Sequence, residues 1–438
     1  MRWQGWAGLA AALWCSGATA AAGDTVQLRL HGSNTVGSEL APALVQAWAA
    51  SMGVGPLSDQ RQAAEERRLS GAGPASQRWE VDIHSHGSST GFADLLAGRS
   101  ELWMSSRPVR RSEVEQARLI GRLDHPTLEH VIALDGLAVV VSPGNPLAAL
   151  DLQQLRDLFT GRIRNWSQLG GPNLPVHVYA RDERSGTWDT FSSLVLDGSP
   201  LASAAQRYES NAELTAAVAA DDGGIGFTGL AAVGSARPIA VHAEQTPALL
   251  PDPHTVATED YLLARRLFLY HAENASEPVR QLVDFALSPA GQAVVERVGY
   301  VALQIRAVPE DPRDGAPAEY QQLVTGADRL SVNFRFGSGL SLLDSKAERD
   351  IQRLVEFMAQ PQNAGRELVV AGFADSSEGS PFFALSISND RVDYVAERLA
   401  RAGLNPRGAL GFGQAVPVAP NSSEVGRLKN RRVEVWLR

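Results

Sequence analysis

The chain has 438 residues, 44% of them hydrophobic and 20% charged, a balance that supports two or three packed cores and excludes a disordered polyelectrolyte. Its formal net charge of −9 at pH 7 argues against nucleic acid as a partner. Any anion site in such a chain must work against the global field, with locally oriented donors.

In chain order, residues 1–22 carry one charge, Arg2, then an apolar stretch from Leu9 to Trp14, then Ala18-Thr19-Ala20-Ala21-Ala22. That layout is expected to be a cleaved secretory signal, since the apolar run is shorter than the ~20 residues that span a bilayer. The single cysteine, Cys15, lies inside it, and the bulky Trp14 before it argues against lipoprotein processing. The mature chain then holds no thiol, which excludes disulfides and thiolate catalysis. No later stretch is apolar for long enough to predict a membrane span.

Residues 23–305 alternate short β-type runs, such as Val26 to Leu30 and Val176 to Tyr179, with amphipathic helical runs, one of which places Leu40, Leu44 and Trp48 on one face. This predicts α/β layers. Residues 57–78, polar and rich in turn formers, read as an inserted surface loop. Residues 306–327, with Pro309, Pro312 and Pro317, read as a linker. Residues 328–438 predict a compact α+β domain. In it, a helix capped by Asp344 places Ile351, Leu354, Val355 and Met358 on one face, and a second spans about Ser388 to Ala402, stopped by Gly403. Strands at Leu368 to Ala371 and Val433 to Leu437 flank them.

Three places in the first part share a strand, a small-hydroxyl turn and a helix start: Leu30 to Val36, Ile83 to Gly91, and Tyr179 to Thr187. A helix start offers unpaired N–H groups, glycine allows close approach, and Ser and Thr add neutral donors, so several such turns can enclose a tetrahedral oxyanion. Taken singly, each turn is an ordinary helix cap. Their joint occurrence, with Arg181 four positions before Ser185-Gly186-Thr187, is what points to one shared site.

Over residues 24–305 the chain resembles the PstS-like phosphate-binding proteins of the two-lobed type II periplasmic binding fold. The matching segments are Gly32-Ser33-Asn34-Thr35, Gly87 to Gly91, Met104 to Pro108, Gly161 to Trp166, Arg181 to Thr187, Gly223 to Phe227 and Ser288 to Gln292, in the family's order. The resemblance implies a hinge and one inorganic phosphate in the cleft, held by Thr35, the Val36 amide, Ser89, Arg181, Ser185, the Gly186 amide and Thr187. Ser106 and Arg107 fall in the binding set too, but at the point where tight binders often place an aspartate before a proline. Without that carboxylate the preference for phosphate over sulfate is weakened, and Asp182 or Glu183 is left to replace it.

Residues 328–438 resemble the OmpA-like peptidoglycan-binding domain, through Asn333 to Phe336, Gly372 to Asp375, Arg391 and Gly426 to Glu434, with Asn430-Arg431-Arg432 the most specific piece. That resemblance implies that Asp375 and Arg391, supported by Asn430 and Arg431, hold the diaminopimelate zwitterion of a wall stem peptide. Phe373-Ala374 replaces the usual His-Thr, and the Asp375-to-Arg391 interval is one residue longer than usual.

The expectation is a periplasmic, non-enzymatic receptor at the cell wall, without cofactor, with an ABC transporter permease as a candidate partner. A phosphate-ester hydrolase and a structural wall linker are the alternatives. Ser185 lacks the Gly-x-Ser-x-Gly elbow of a hydrolase. His84 and His86, two apart, have no third metal ligand in spacing.

Overall fold

The computed structural model describes residues 25–438 except 75–76, 184, 314 and 337–342; the expected export signal, residues 1–22, lies outside them. The first domain holds strands β1 (Thr25–Gly32), β2 (Ser58–Ala63), β3 (Glu66–Ala72), β4 (Arg78–His84), β5 (Leu102–Ser105), β6 (Glu129–Val141) and β7 (Ala149–Asp151). It continues with β8 (His177–Arg181), β9 (Gln206–Tyr208), β10 (Gly224–Gly229), β11 (Arg237–Pro238), β12 (Ala240–His242) and β13 (Ala264–Tyr270). Its main sheet runs β2-β3-β4-β1-β5-β13-β6-β10-β8-β9.

Strand β6 joins two halves. Its residues Glu129 to Gly136 pair with β13, and Leu137 to Val141 pair with β10. The chain therefore passes from one lobe to the other at Gly136–Leu137, and it returns through residues 258–263, between the helix Pro253–Ala257 and β13. Almost all of β6 is buried, as expected of a central strand covered on both faces. The first lobe packs Leu28, Leu30, Leu44, Trp48 and Trp79, and the second packs Phe159, Trp166, Phe191 and Phe227. This is the expected two-lobed α/β architecture.

Two stretches differ from expectation. The inserted loop at 57–78 is a hairpin, β2 and β3, that extends the sheet by pairing β3 with β4 from Glu66↔His84 to Ala72↔Arg78. Every residue of β2 is exposed, so an edge strand here needs no apolar face, and Leu69 alone on β3 is fully buried. The expected linker carries strand β14 (Ala307–Pro309) and a helix, Ala318–Val324, whose Tyr320 and Val324 pack against Val369, Phe373 and Trp436.

The C-terminal domain adds β15 (Asp328–Arg335), β16 (Leu368–Gly372), β17 (Gly408–Gly411) and β18 (Arg432–Leu437), in the order β14-β15-β18-β16-β17. Asp344 caps the helix Ser345–Met358, accepting from the Ala347 amide at 2.8 Å. The second helix, Pro381–Arg401, begins well before the expected Ser388, because Pro381 suits a first helical turn while the exposed Phe382 and Phe383 break the apolar period. Among the described residues no helix is long and apolar enough to cross a membrane.

The two domains are docked through charge. From the C-terminal domain, Asn333 Nδ2 and Arg335 donate to the carbonyl of Thr258 at 2.7 and 2.9 Å, and Lys429 Nζ donates to the carbonyls of Tyr261 and Leu262 at 3.0 and 3.1 Å. Arg313 meets Asp260 at 2.8 Å, and Arg266 bridges Glu259 and Asp344. These contacts grip residues 258–262, the return passage between the lobes. Burial alone would raise the Glu259 carboxyl, but Arg266, Arg335 and Lys346 outweigh it and hold it at about 2. Because this folded-state value lies below the unfolded one, its stabilisation is present above about pH 4.5 and is lost as pH falls toward 2. The loss is on the order of 3 kcal/mol. Thermal melts between pH 5 and 2 should therefore show an acid loss of stability that is smaller in Glu259→Gln.

Candidate functional site

The three strand–turn–helix segments come together at the cleft. The Gly87 amide donates to the Gly32 carbonyl at 2.7 Å, and Gly91 lies so close to Gly32 that a Cβ on it would be 2.5 Å from the Gly32 Cα. This packs the first two turns side by side in one lobe. The third turn meets them from the other lobe, where a Cβ on Gly186 would lie 1.9 Å from Thr35 Oγ1 and 2.5 Å from the Thr35 nitrogen.

Each predicted residue has a defined place. Thr35 and Val36 are buried at the start of the helical segment that leads into Ala41–Ser51. Ser185 caps the helix Gly186–Phe191, its hydroxyl accepting from the Thr187 amide at 3.2 Å, so Gly186 and Thr187 form that helix's first turn. Ser89 is exposed at the start of the helix Ser88–Leu96 and accepts from Arg107 at 3.2 Å. Arg107 is also locked on Glu113 through contacts of 2.6 and 2.8 Å. The Ser106 amide donates to the Ser88 hydroxyl at 3.1 Å. The guanidinium of Arg181, whose pKa burial pushes down, donates to Asn211 Oδ1 and to the carbonyls of Glu209 and Tyr208 at 2.6 and 3.2 Å. It is thus oriented by its own lobe. Thr35 and Gly186 are brought into direct contact, whereas Ser89 and Arg107 bond to one another at the rim.

Sequence reasoning missed the pair at the centre. Arg265, at the start of β13, donates to Asp135 at 2.9 and 3.0 Å, to Thr35 Oγ1 at 2.8 Å and to the Gly186 carbonyl at 3.1 Å. One buried guanidinium therefore touches both lobes and one carboxylate. Tyr300 adds a donor to the Thr35 carbonyl at 2.8 Å. The usable signal was Asp135 itself, the one carboxylate in the interior of strand β6, beyond Glu129 at its start, because a buried charge requires a partner.

In the C-terminal domain, Asp375 and Arg391 are both buried and lie at one site. Asp375 Oδ1 accepts from the Ser377 amide and hydroxyl at 2.7 and 2.6 Å, and its Oδ2 accepts from Arg431. These donors hold its carboxyl below the ordinary range against a burial effect that raises it. Arg391 lies over the Phe336 ring, 5.2 Å from its centroid. Asn430 is structural: its oxygen accepts from the Val418 and Ala419 amides at 2.9 and 3.1 Å, and its nitrogen donates to the Ala419 carbonyl at 2.8 Å. Glu378, unremarked in the sequence, lies between Asp375 and Arg391.

Residues 63–290 match the family model described as the PBP superfamily domain, and residues 335–431 match the OmpA family. The protein SphX of Synechococcus elongatus is 32% identical over 52% of this chain and 70% of its own length. The phosphate-binding protein PstS of Borreliella burgdorferi is 24% identical over 51% of this chain and 80% of its own. The fold is similar to the crystal structure of a possible phosphate binding protein from Planctomyces limnophilus, with a TM-score of 0.51 and 21% identity over 64% of this chain and 94% of that one.

Proposed function

We propose, from the premise that this chain belongs to the PBP superfamily and ends in an OmpA-family domain, that it is a periplasmic receptor for inorganic phosphate held non-covalently at the peptidoglycan. The observation that carries the first half is the meeting of Thr35, Gly186 and Arg265 across two lobes. A helix start, hydroxyls and a buried guanidinium supply oriented donors where the two lobes close, which suits a tetrahedral anion in a chain of net charge −9. The names of the relatives point to phosphate among such anions. Asp135, bonded to the Arg265 that reaches Thr35 and Gly186, is a carboxylate at this meeting point, and a carboxylate there would favour a protonated phosphate over sulfate.

The protein is a binding protein and not an enzyme. Ser185, the one hydroxyl that sequence analysis weighed as a nucleophile, caps a helix. Support for the wall half is the OmpA-family match and the burial of both Asp375 and Arg391, each within reach of Glu378. An ABC transporter permease remains the candidate recipient of the captured ion, and export would rest on the signal-like residues 1–22.

Calorimetry of the full chain is expected to show saturable one-to-one binding of phosphate, sulfate binding at least about tenfold more weakly, and about 1.5–3 kcal/mol lost in Arg181→Ala, the range for a hydrogen bond to charge. Equal phosphate binding by wild type and Arg181→Ala would remove the assigned site.

A further inference from the structure

Glu378 occupies the place that a ligand carboxylate needs. Its two oxygens receive Arg391 as a fork, one nitrogen at 2.8 Å and the other closer still, while the same Arg391 nitrogen also reaches the Phe373 carbonyl at 3.2 Å. Glu378 further accepts from the Asp375 amide at 3.0 Å and lies 3.6 Å from Arg431. Its side chain is 13% exposed, above an Arg391 that is 1% exposed. Two parallel bonds from a guanidinium to a carboxylate are the geometry a free carboxylate would be given. Gly379, at φ +98°, turns the chain immediately after Glu378.

We propose that Glu378 is a resident carboxylate that fills the Arg391 half of the wall-peptide site, so that this residue sets how strongly the domain takes a free amino-acid carboxylate. The inference rests on the reading that Asp375 and Arg391 receive the wall peptide. Glu378 is tethered three residues from Asp375, so it competes as an intramolecular ligand at an effective concentration in the millimolar range or above. A wall peptide must displace it. Without it, Arg391 is a buried cation with an empty fork and strong demand for an external carboxylate.

The test is retention of the full chain on purified diaminopimelate-type sacculi, comparing wild type, Glu378→Ala and Glu378→Gln. Glu378→Gln keeps size and shape and guards against a folding defect in the alanine variant. Both are expected to be retained at least tenfold more strongly than wild type, and adding Asp375→Ala is expected to cancel the gain. Wild type and both variants retained equally, with Arg391→Ala lost, would overturn the proposal while leaving the wall reading intact. Absence of retention in all three, with native circular dichroism, would overturn both. In a second measurement, millimolar acetate should raise the melting temperature of Glu378→Ala and leave wild type unmoved; no rescue would count against the proposal.

Discussion

Gly186→Ala is expected to lower oxyanion affinity by at least about a hundredfold while leaving the melting temperature near wild type. The added Cβ would stand 2.5 Å from the Thr35 nitrogen and 2.8 Å from its Cα, and both are backbone atoms that cannot rotate away. Contacts that short force something to shift, and the easiest thing to shift is one lobe relative to the other. Neither lobe's core is touched, because the clash exists only where the third turn meets the first. The variant should therefore fold and stay open. A factor of a hundred is about 2.7 kcal/mol, within the 1–3 kcal/mol typical of overpacking at a close contact. Calorimetry measures the affinity, and small-angle scattering should show that phosphate compacts wild type but not Gly186→Ala. Full affinity in the variant would mean that the lobes need not meet at Thr35.

Asp135→Ala is expected to cost about 3–5 kcal/mol of stability, the usual range for removing one partner of a buried ion pair. Arg265 and Asp135 are 9% and 7% exposed, and Asp135 is the acidic partner of that guanidinium. Its loss leaves a cation at the start of β13, facing β6, with Thr35 Oγ1 and the Gly186 carbonyl as its remaining acceptors among the described residues. The double variant Asp135→Leu/Arg265→Met removes both charges and should recover most of the stability, since well-packed apolar pairs substitute well for buried ion pairs. It should not recover phosphate affinity, because the guanidinium that touches both lobes is gone. Urea unfolding and calorimetry on the same samples separate the two effects.

What could be read from the sequence follows from which interactions are local. The three turns were legible because a cap, a glycine and the next helix lie within a few residues of one another, as in Ser185-Gly186-Thr187. Asp344 as a cap was legible for the same reason. Arg265 was not, since its partners Thr35, Asp135 and Gly186 are remote in sequence and meet only after the sheet is assembled. The 57–78 hairpin was hidden because a wholly exposed edge strand needs only backbone pairing. The helix Ala318–Val324 was hidden behind three prolines, with only Tyr320 and Val324, one turn apart, to mark its inward face. The lengthened Asp375-to-Arg391 interval was the sole trace of Glu378, and an interval does not say which side chain turns inward.

The grip of Asn333, Arg335 and Lys429 on residues 258–262 makes the C-terminal domain a mount rather than a tether. Arg266, on β13 of the first lobe, is joined to Asp344, and Arg349 holds the carbonyl of Glu129 at the start of β6 at 2.9 Å. The lobe built on β1 to β5 and β13 is therefore bonded to the C-terminal domain through β13 and the start of β6, and on the proposed reading the lobe built on β8 to β10 is the one that moves on capture. On that reading each capture event would move the same jaw against the same fixed one, and the mouth of the cleft would keep a constant bearing toward the wall.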